Sequence, residues 1–299
     1  MFFIVGSARS GTTLLRLILN AHSRVAVPPE SRFITELYQG DRVDRDHFLQ
    51  RLESHSQFQH WKIPIDDVRR QLGGDESVAY ADAILAAYRA YAGLKGKSLF
   101  GDKTPRYVTN IPRLSRLFPD ARFVHQIRDG RNVALSYADV PFGPKTIGHA
   151  AALWAERVAA GFRDGRALGP DRYTEVRYED FVTNPEALTK TLCDFIGIDF
   201  EEQMLDHAEQ SRSDVLPRAS RYNPNVTKPP TQNIRSWEDQ MPARQVEMFE
   251  AIAGDVIEAA GYERQFPQPP ASARALANLS RWRLPIGRLV ASGKSPRRY

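Results

Sequence analysis

Cysteine is almost missing from this chain. Cys193 stands alone among 299 residues, which excludes an intramolecular disulfide and a cysteine-rich metal centre. Its setting, TLCDFIGI, reads as an apolar helix face, so the thiol is expected to be buried and structural rather than nucleophilic. Long apolar runs are missing too: nothing approaches the roughly 20 residues of a membrane span. No basic leader precedes the first apolar strand, and the expected location is therefore cytoplasmic. Acidic residues are absent after Arg264, where Arg274, Arg281, Arg283, Arg288, Lys294, Arg297 and Arg298 follow. The net charge is +5, so the body ahead of this tail carries about −2. Its positive charge belongs to particular loops. That suits a small anion better than a nucleic acid, which needs a broad basic surface, and no nucleic-acid partner is expected.

A further absence is the most telling. Between an apolar strand and a helix opening with Leu14-Leu15, the chain reads Gly6-Ser7-Ala8-Arg9-Ser10-Gly11-Thr12-Thr13. A Walker loop, G-x-x-x-x-G-K-[ST], would place lysine where Thr12 stands. Glycines let backbone N–H groups approach an anion, and the helix N-terminus adds partial positive charge. Arg9, Ser10, Thr12 and Thr13 add side-chain donors. The loop is built for a phosphate-like anion, and its missing lysine argues against a conventional ATPase or kinase.

Around that loop, the 42% hydrophobic and 26% charged composition is ordinary for a globular enzyme-sized chain. Strands are expected at 2–5, 24–27, 98–100, 122–126 and 173–177. Helices are expected at 12–21, 78–92, 131–137, 147–163, 185–196 and 243–260. This alternation predicts an α/β, P-loop-type three-layer fold with a central, mostly parallel sheet flanked by helices. The domain is expected to span 1–265, followed by a basic extension, 266–299. Within it, 40–76 reads as a polar insertion with short helices near 45–52 and 65–71, expected to shape acceptor choice. Residues 212–233 read as a long functional loop.

A second motif is FVHQIRDGRNVALSYA, Phe123 to Ala138. Arg128 follows an apolar strand at its carboxyl end, where α/β sheets bind ligands, and Ser136 lies about two turns along the next helix. A third is EVRYEDFVTNPEALTKTLCDFIGI, Glu175 to Ile198. Together with Arg9-Ser10-Gly11-Thr12-Thr13, these resemble the sulfotransferases that use 3′-phosphoadenosine 5′-phosphosulfate (PAPS). The resemblance runs from Met1 to about Tyr262. It implies that Arg9, Ser10, Gly11, Thr12 and Thr13 hold the 5′-phosphosulfate, that Arg128 and Ser136 hold the 3′-phosphate, and that Tyr178 lies near the adenine.

Locally the chain is most similar to tyrosylprotein sulfotransferases and their bacterial relatives. Glu30-Ser31-Arg32 stands where those enzymes carry an E-T-R triplet, which implies Glu30 as catalytic base and Arg32 as a substrate-facing arginine. Lys103, in GDKTPRY, matches a lysine close to the transferring sulfuryl group. GDKTPRY holds no histidine for the alternative histidine base. His22 reads as a helix-end residue, and neither His125 nor His149 acquires a role. Lys228, Pro229 and Trp237 match a further family element, but Ser236 replaces the lysine before the tryptophan. Either Arg235 supplies that charge to the cofactor or it is a solvent-exposed arginine.

The resemblance implies transfer of a sulfuryl group from PAPS to an acceptor hydroxyl, with PAP as product and no metal. A carboxylate base suits a phenol, pKa about 10, better than an aliphatic alcohol. Tyrosine or another phenol is therefore slightly favoured over a glycan or small metabolite. The competing readings are a P-loop metabolite kinase and a non-catalytic nucleotide-binding protein. For the basic tail, packing on the body, peripheral contact with an anionic membrane, a partner-docking arm and a solvated terminus all remain open.

Overall fold

A computed structural model describes residues 1–206 and 236–268. Their contacts separate into two compact units, residues 1–127 with 160–206, and residues 128–159 with 236–268. Among the described residues no helix is long and apolar enough to cross a membrane.

The first unit is organised by five parallel strands: β1 (Phe2–Gly6), β2 (Val25–Ala26), β5 (Leu99–Lys103), β6 (Arg122–Ile127) and β7 (Tyr173–Arg177). Their order is β2-β5-β1-β6-β7. β1 lies centrally, with Ile4 opposite Lys103 on one side and Gly6 opposite Gln126 on the other. All five residues of β1 are buried, as expected for a parallel strand covered on both faces. Side chains alternate between those faces. Phe3 and Val5 join Ala26 and Phe123 in one core, while Phe2 and Ile4 join Val25, Val27, Val124 and Val176 in the other.

Helix α1 (Thr12–Ala21) packs Leu14, Leu15, Ile18 and Leu19 into the second core. α10 (Tyr178–Thr183) and α11 (Pro185–Ile196) cover the same face through Phe181, Val182, Leu192 and Cys193. α11 opens with proline and stops at Gly197, whose left-handed φ of 83° lets its N–H return to the Cys193 carbonyl at 2.8 Å.

The opposite face is closed by α6 (Tyr80–Leu94), α7 (Ile111–Leu117) and the segment expected to be a polar insertion. That segment carries α3 (Arg45–Glu53), α4 (Ser56–Gln59) and α5 (Ile65–Leu72), with β3 (Arg42–Asp44) pairing antiparallel to β4 (Ser77–Ala79). Its exposed sides are polar, but Phe48, Leu49, Leu52, Phe58, Trp61 and Val68 belong to the core. Asp44 caps α3 by accepting from the His47 amide at 2.7 Å. A short helix α2 (Phe33–Glu36) follows Arg32.

The second unit contains α8 (Gly130–Ala138), α9 (Ile147–Ala160), α12 (Trp237–Gln240) and α13 (Ala243–Ala259). The helix expected over 147–163 ends at Ala160, and a π turn, Gly161–Gly165, follows. A Cβ at Gly161 would meet the His125 ring at 2.3 Å, and one at Gly165 the Tyr173 ring at 2.0 Å. Only glycine lets this turn lie so close to β6 and β7.

Candidate active site

In the first unit the sequence-derived residues gather where parallel strands end. The loop from Gly6 to Gly11 leaves β1 and enters α1. Gly11 has φ 86° and occupies the N-cap without a side-chain cap, while its carbonyl accepts from Leu14 and Leu15. The first-turn amides of α1 therefore receive no capping side chain, which is the electrostatic setting of an anion site. Arg9 also has a positive φ, 72°. Ser10 is fully buried and its Oγ has no hydrogen-bond partner among the described residues. A Cβ at Gly11 would sit 2.3 Å from the Tyr178 ring. Tyr178, the first residue after β7, thus lies against the loop. An unpaired hydroxyl, uncapped amides and a glycine that no side chain may replace fit an oxyanion such as a phosphosulfate.

Glu30 lies between β2 and α2, and Lys103 is the last residue of β5. Lys103 Nζ donates to Glu30 Oε1 at 2.9 Å, and Arg32 Nη2 approaches Oε2 at 3.4 Å. Burial pushes the Glu30 carboxyl up, but the two cations outweigh it and hold the pKa below the ordinary carboxylate value. Lys103 is buried, whereas Glu30 and Arg32 keep partial exposure. Arg32 adopts φ 50° at the N-cap of α2. The structure therefore brings together three of the residues expected for transfer: a carboxylate, a buried lysine and an accessible arginine.

Behind this cluster lies a buried polar layer that the sequence did not single out. Ser31 Oγ is 3.0 Å from Tyr107 OH, and the Ser31 amide donates to Thr104 Oγ1 at 3.1 Å. Tyr88 OH donates to Asp102 Oδ2 at 2.6 Å. Burial raises the Asp102 carboxyl to about 6, with hydrogen bonds from Tyr88, Ser31 and Thr104 opposing and the charge of Glu30 reinforcing the rise. Gln126 is likewise fully buried, and both polar ends of its carboxamide lack a partner among the described residues. Its Nε2 lies 3.2 Å from where a Gly11 Cβ would stand. A polar residue one place before the carboxyl end of β6, beside His125, was the available signal for Gln126. For Asp102 and Thr104 it was a polar pair flanking Lys103.

The second unit holds Arg128 and Ser136, both buried. The Arg128 carbonyl accepts from Trp154 Nε1 at 3.0 Å. Asp129 caps α8 through the Arg131 amide at 2.9 Å, and Ser136 lies further along that helix. Arg131 is the centre of a buried ion cluster, 2.7 Å from Asp129 Oδ2 and 2.6 Å from Glu250 Oε1. Its guanidinium stacks 3.6 Å from the Trp237 ring centroid. The Trp237 amide donates to Asn132 Oδ1 at 2.9 Å. Arg131 was the cation missed here, although the R-D-G-R spacing displays it.

Other expectations are also placed. His22 ends α1 and is buried, with Nε2 3.0 Å from the Asp199 carbonyl. Cys193 is buried against Met204, and burial raises its thiol to about 11. His125 is fully buried beside Tyr173 OH at 2.6 Å, and burial lowers it to about 3. Lys228, Pro229, Arg235, the loop 212–233 and the tail from 269 lie outside the described residues.

A family model described as the sulfotransferase family matches residues 2–202. The protein-tyrosine sulfotransferase of Drosophila melanogaster is 24% identical over 286 residues, covering 90% of this chain and 53% of the fly protein. Protein-tyrosine sulfotransferase 2 of Gallus gallus is 25% identical, covering 90% of this chain and 71% of its own length. The chain thus spans about half of the fly relative and under three quarters of the chicken one. Among solved structures, the sulfotransferase domain of the Synechococcus PCC 7002 olefin synthase superposes with a TM-score of 0.60 at 21% identity. That match covers 88% of this chain and 94% of the domain, and it attests the fold.

Proposed function

The chain belongs to the sulfotransferase family, and we propose that it transfers a sulfuryl group from PAPS to a hydroxyl, with a tyrosine phenol as the favoured acceptor. The observation that carries this reading is Glu30, held between Lys103 and Arg32 beside the carboxyl end of β5. The uncapped loop after β1 leads into α1 in the same unit and supplies the donor site.

In this reading the loop amides, Arg9, Ser10, Thr12 and Thr13 bind the 5′-phosphosulfate. Arg128 and Ser136 bind the 3′-phosphate, Tyr178 lies at the adenine, and Arg235 adds charge to the cofactor. Arg32 faces the acceptor. Glu30 takes the hydroxyl proton as the acceptor oxygen bonds to sulfur. The sulfur–oxygen bond to the 5′-phosphate breaks, and PAP departs with the electron pair. Lys103 and Arg9 stabilise the negative charge that grows on the bridging oxygen, so positioning and electrostatics supply most of the acceleration. Glu30 is held ionised by its two cations, ready to accept a proton but weakly basic, which favours a phenol over an alkyl alcohol. The names of the relatives support tyrosine as that phenol.

The test is PAPS-dependent sulfation of tyrosine-bearing peptides, read by mass spectrometry alongside PAP binding by calorimetry. Glu30→Ala is expected to lower turnover by at least about 100-fold while PAP affinity stays within a few-fold. Near-normal turnover would remove Glu30 from the base role. Arg128→Ala is expected to weaken PAP far more than adenosine 5′-phosphate, which has no 3′-phosphate. Equal losses for both nucleotides contradict the assignment of Arg128.

A further inference from the structure

Between β2 and α2 the backbone around Glu30 is secured almost residue by residue. The Val27 amide donates to Asn20 Oδ1 at 2.8 Å, and its carbonyl accepts from Arg16 Nη1 at 2.9 Å. Pro28 and Pro29 follow, with no N–H to satisfy and φ fixed by their rings. The Pro29 carbonyl accepts from Trp61 Nε1 at 2.8 Å. Beyond Glu30, the Ser31 amide and hydroxyl are bound to Thr104 Oγ1 and Tyr107 OH at 3.1 and 3.0 Å.

Two segments therefore meet through consecutive residues: Glu30 with Lys103, and Ser31 with Thr104. Thr104 has extended backbone angles, φ −132° and ψ 94°, and extended chain sends neighbouring side chains to opposite sides. Ser31 and Thr104 are fully buried, while Glu30 keeps partial exposure. The hydroxyl pair forms the back of the ion pair. Here we propose that Ser31 and Thr104, supported by Tyr107, are positioning residues that hold the Glu30 carboxylate and Lys103 in register for proton transfer. The proposal rests on the reading of Glu30 as base.

The experiment uses the full chain with PAPS and a tyrosine-bearing peptide, together with a ¹³C NMR titration of the Glu30 carboxyl in the PAP-saturated protein. Ser31→Ala is expected to lower kcat roughly 10- to 100-fold while KM for PAPS stays within a few-fold. Ser31→Thr, which restores the hydroxyl, is expected to recover most of the loss. As Lys103 loosens, the Glu30 titration in Ser31→Ala should move up by about one pH unit. Thr104→Val serves as the second variant if Ser31→Ala does not fold. Unchanged kcat in a folded variant overturns the proposal, as does a loss of PAP affinity that parallels the loss of kcat. Turnover that survives Glu30→Ala overturns both the base reading and this proposal. An inactive Glu30→Ala beside a fully active Ser31→Ala overturns the positioning role alone. The NMR titration needs no acceptor, so an unmoved Glu30 titration in both variants is decisive even where no peptide is sulfated.

Discussion

Arg9 and Arg32 are two of the three non-glycine residues with positive φ among the described residues. Side chains rarely adopt that region, and holding one there costs on the order of 1–3 kcal/mol. Both are arginines of the proposed transfer site, which is where such a cost has a function to offset it. Gln126 presents a different local cost. A buried polar group without a partner destabilises by about 1–3 kcal/mol, and this side chain has two such ends. Gln126→Leu is therefore expected to raise the melting temperature of the ligand-free protein by a few degrees, at roughly 2–4 °C per kcal/mol. A lower melting temperature in calorimetry would mean that the carboxamide has a partner, such as a buried water. The pairing of Glu30 with Lys103 was legible because both sit in short motifs of fixed spacing. Gln126 was not, because a polar residue in a strand reads as a solvent-facing position until the neighbouring strands are known.

At the level of elements, α8 and α13 are joined through a buried charge cluster. Glu250 accepts from Arg131 and also from the amides of Gln265 and Phe266, at 3.0 and 2.7 Å. Burial acts to lower the Arg131 pKa, but Asp129 and Glu250 overcome it and raise the value. Removing one partner from such a cluster strands the others without solvent, at about 3–5 kcal/mol. Glu250→Ala should accordingly lose that much stability in urea denaturation, and a loss below about 1 kcal/mol would show that solvent reaches Arg131. The helices at 12–21 and 185–196 were legible to the residue from apolar spacing and their flanking glycine and proline. The helix over 147–163 was overextended because a π turn keeps the composition of a helix while changing its hydrogen bonds. Segment 40–76 looked like an insertion because its polar faces outnumber the apolar ones in sequence. Burial of Phe48, Phe58 and Trp61 emerges only through contacts with distant residues.

For the molecule as a whole, two buried groups set opposing pH dependences. His125 titrates near 3 in the folded state but near 6.5 when unfolded, so stability falls as pH drops from about 6.5 toward 3. Asp102 titrates near 6 when folded and near 3.9 unfolded. Its contribution is full below the unfolded value and is lost as pH rises through 6. Asp102→Asn removes only the second effect. The stability of this variant relative to the native chain should drop by about 2 kcal/mol between pH 7.5 and 4.5. A difference that stays constant in denaturation series across that range would mean that Asp102 is not a buried, titrating carboxyl. The parallel sheet was legible from alternating strands and helices, whereas the division into two compact units depends on long-range contacts that no local pattern contains. The bond from Trp61 to the Pro29 carbonyl has a practical consequence for chimeras. Residues 40–76, proposed to shape acceptor choice, can be exchanged for a relative's segment only if the incoming stretch brings its own donor for that carbonyl. A donor-less graft would leave the carbonyl next to Glu30, the proposed base, without its anchor, and the proposed catalysis would be lost before specificity could be measured.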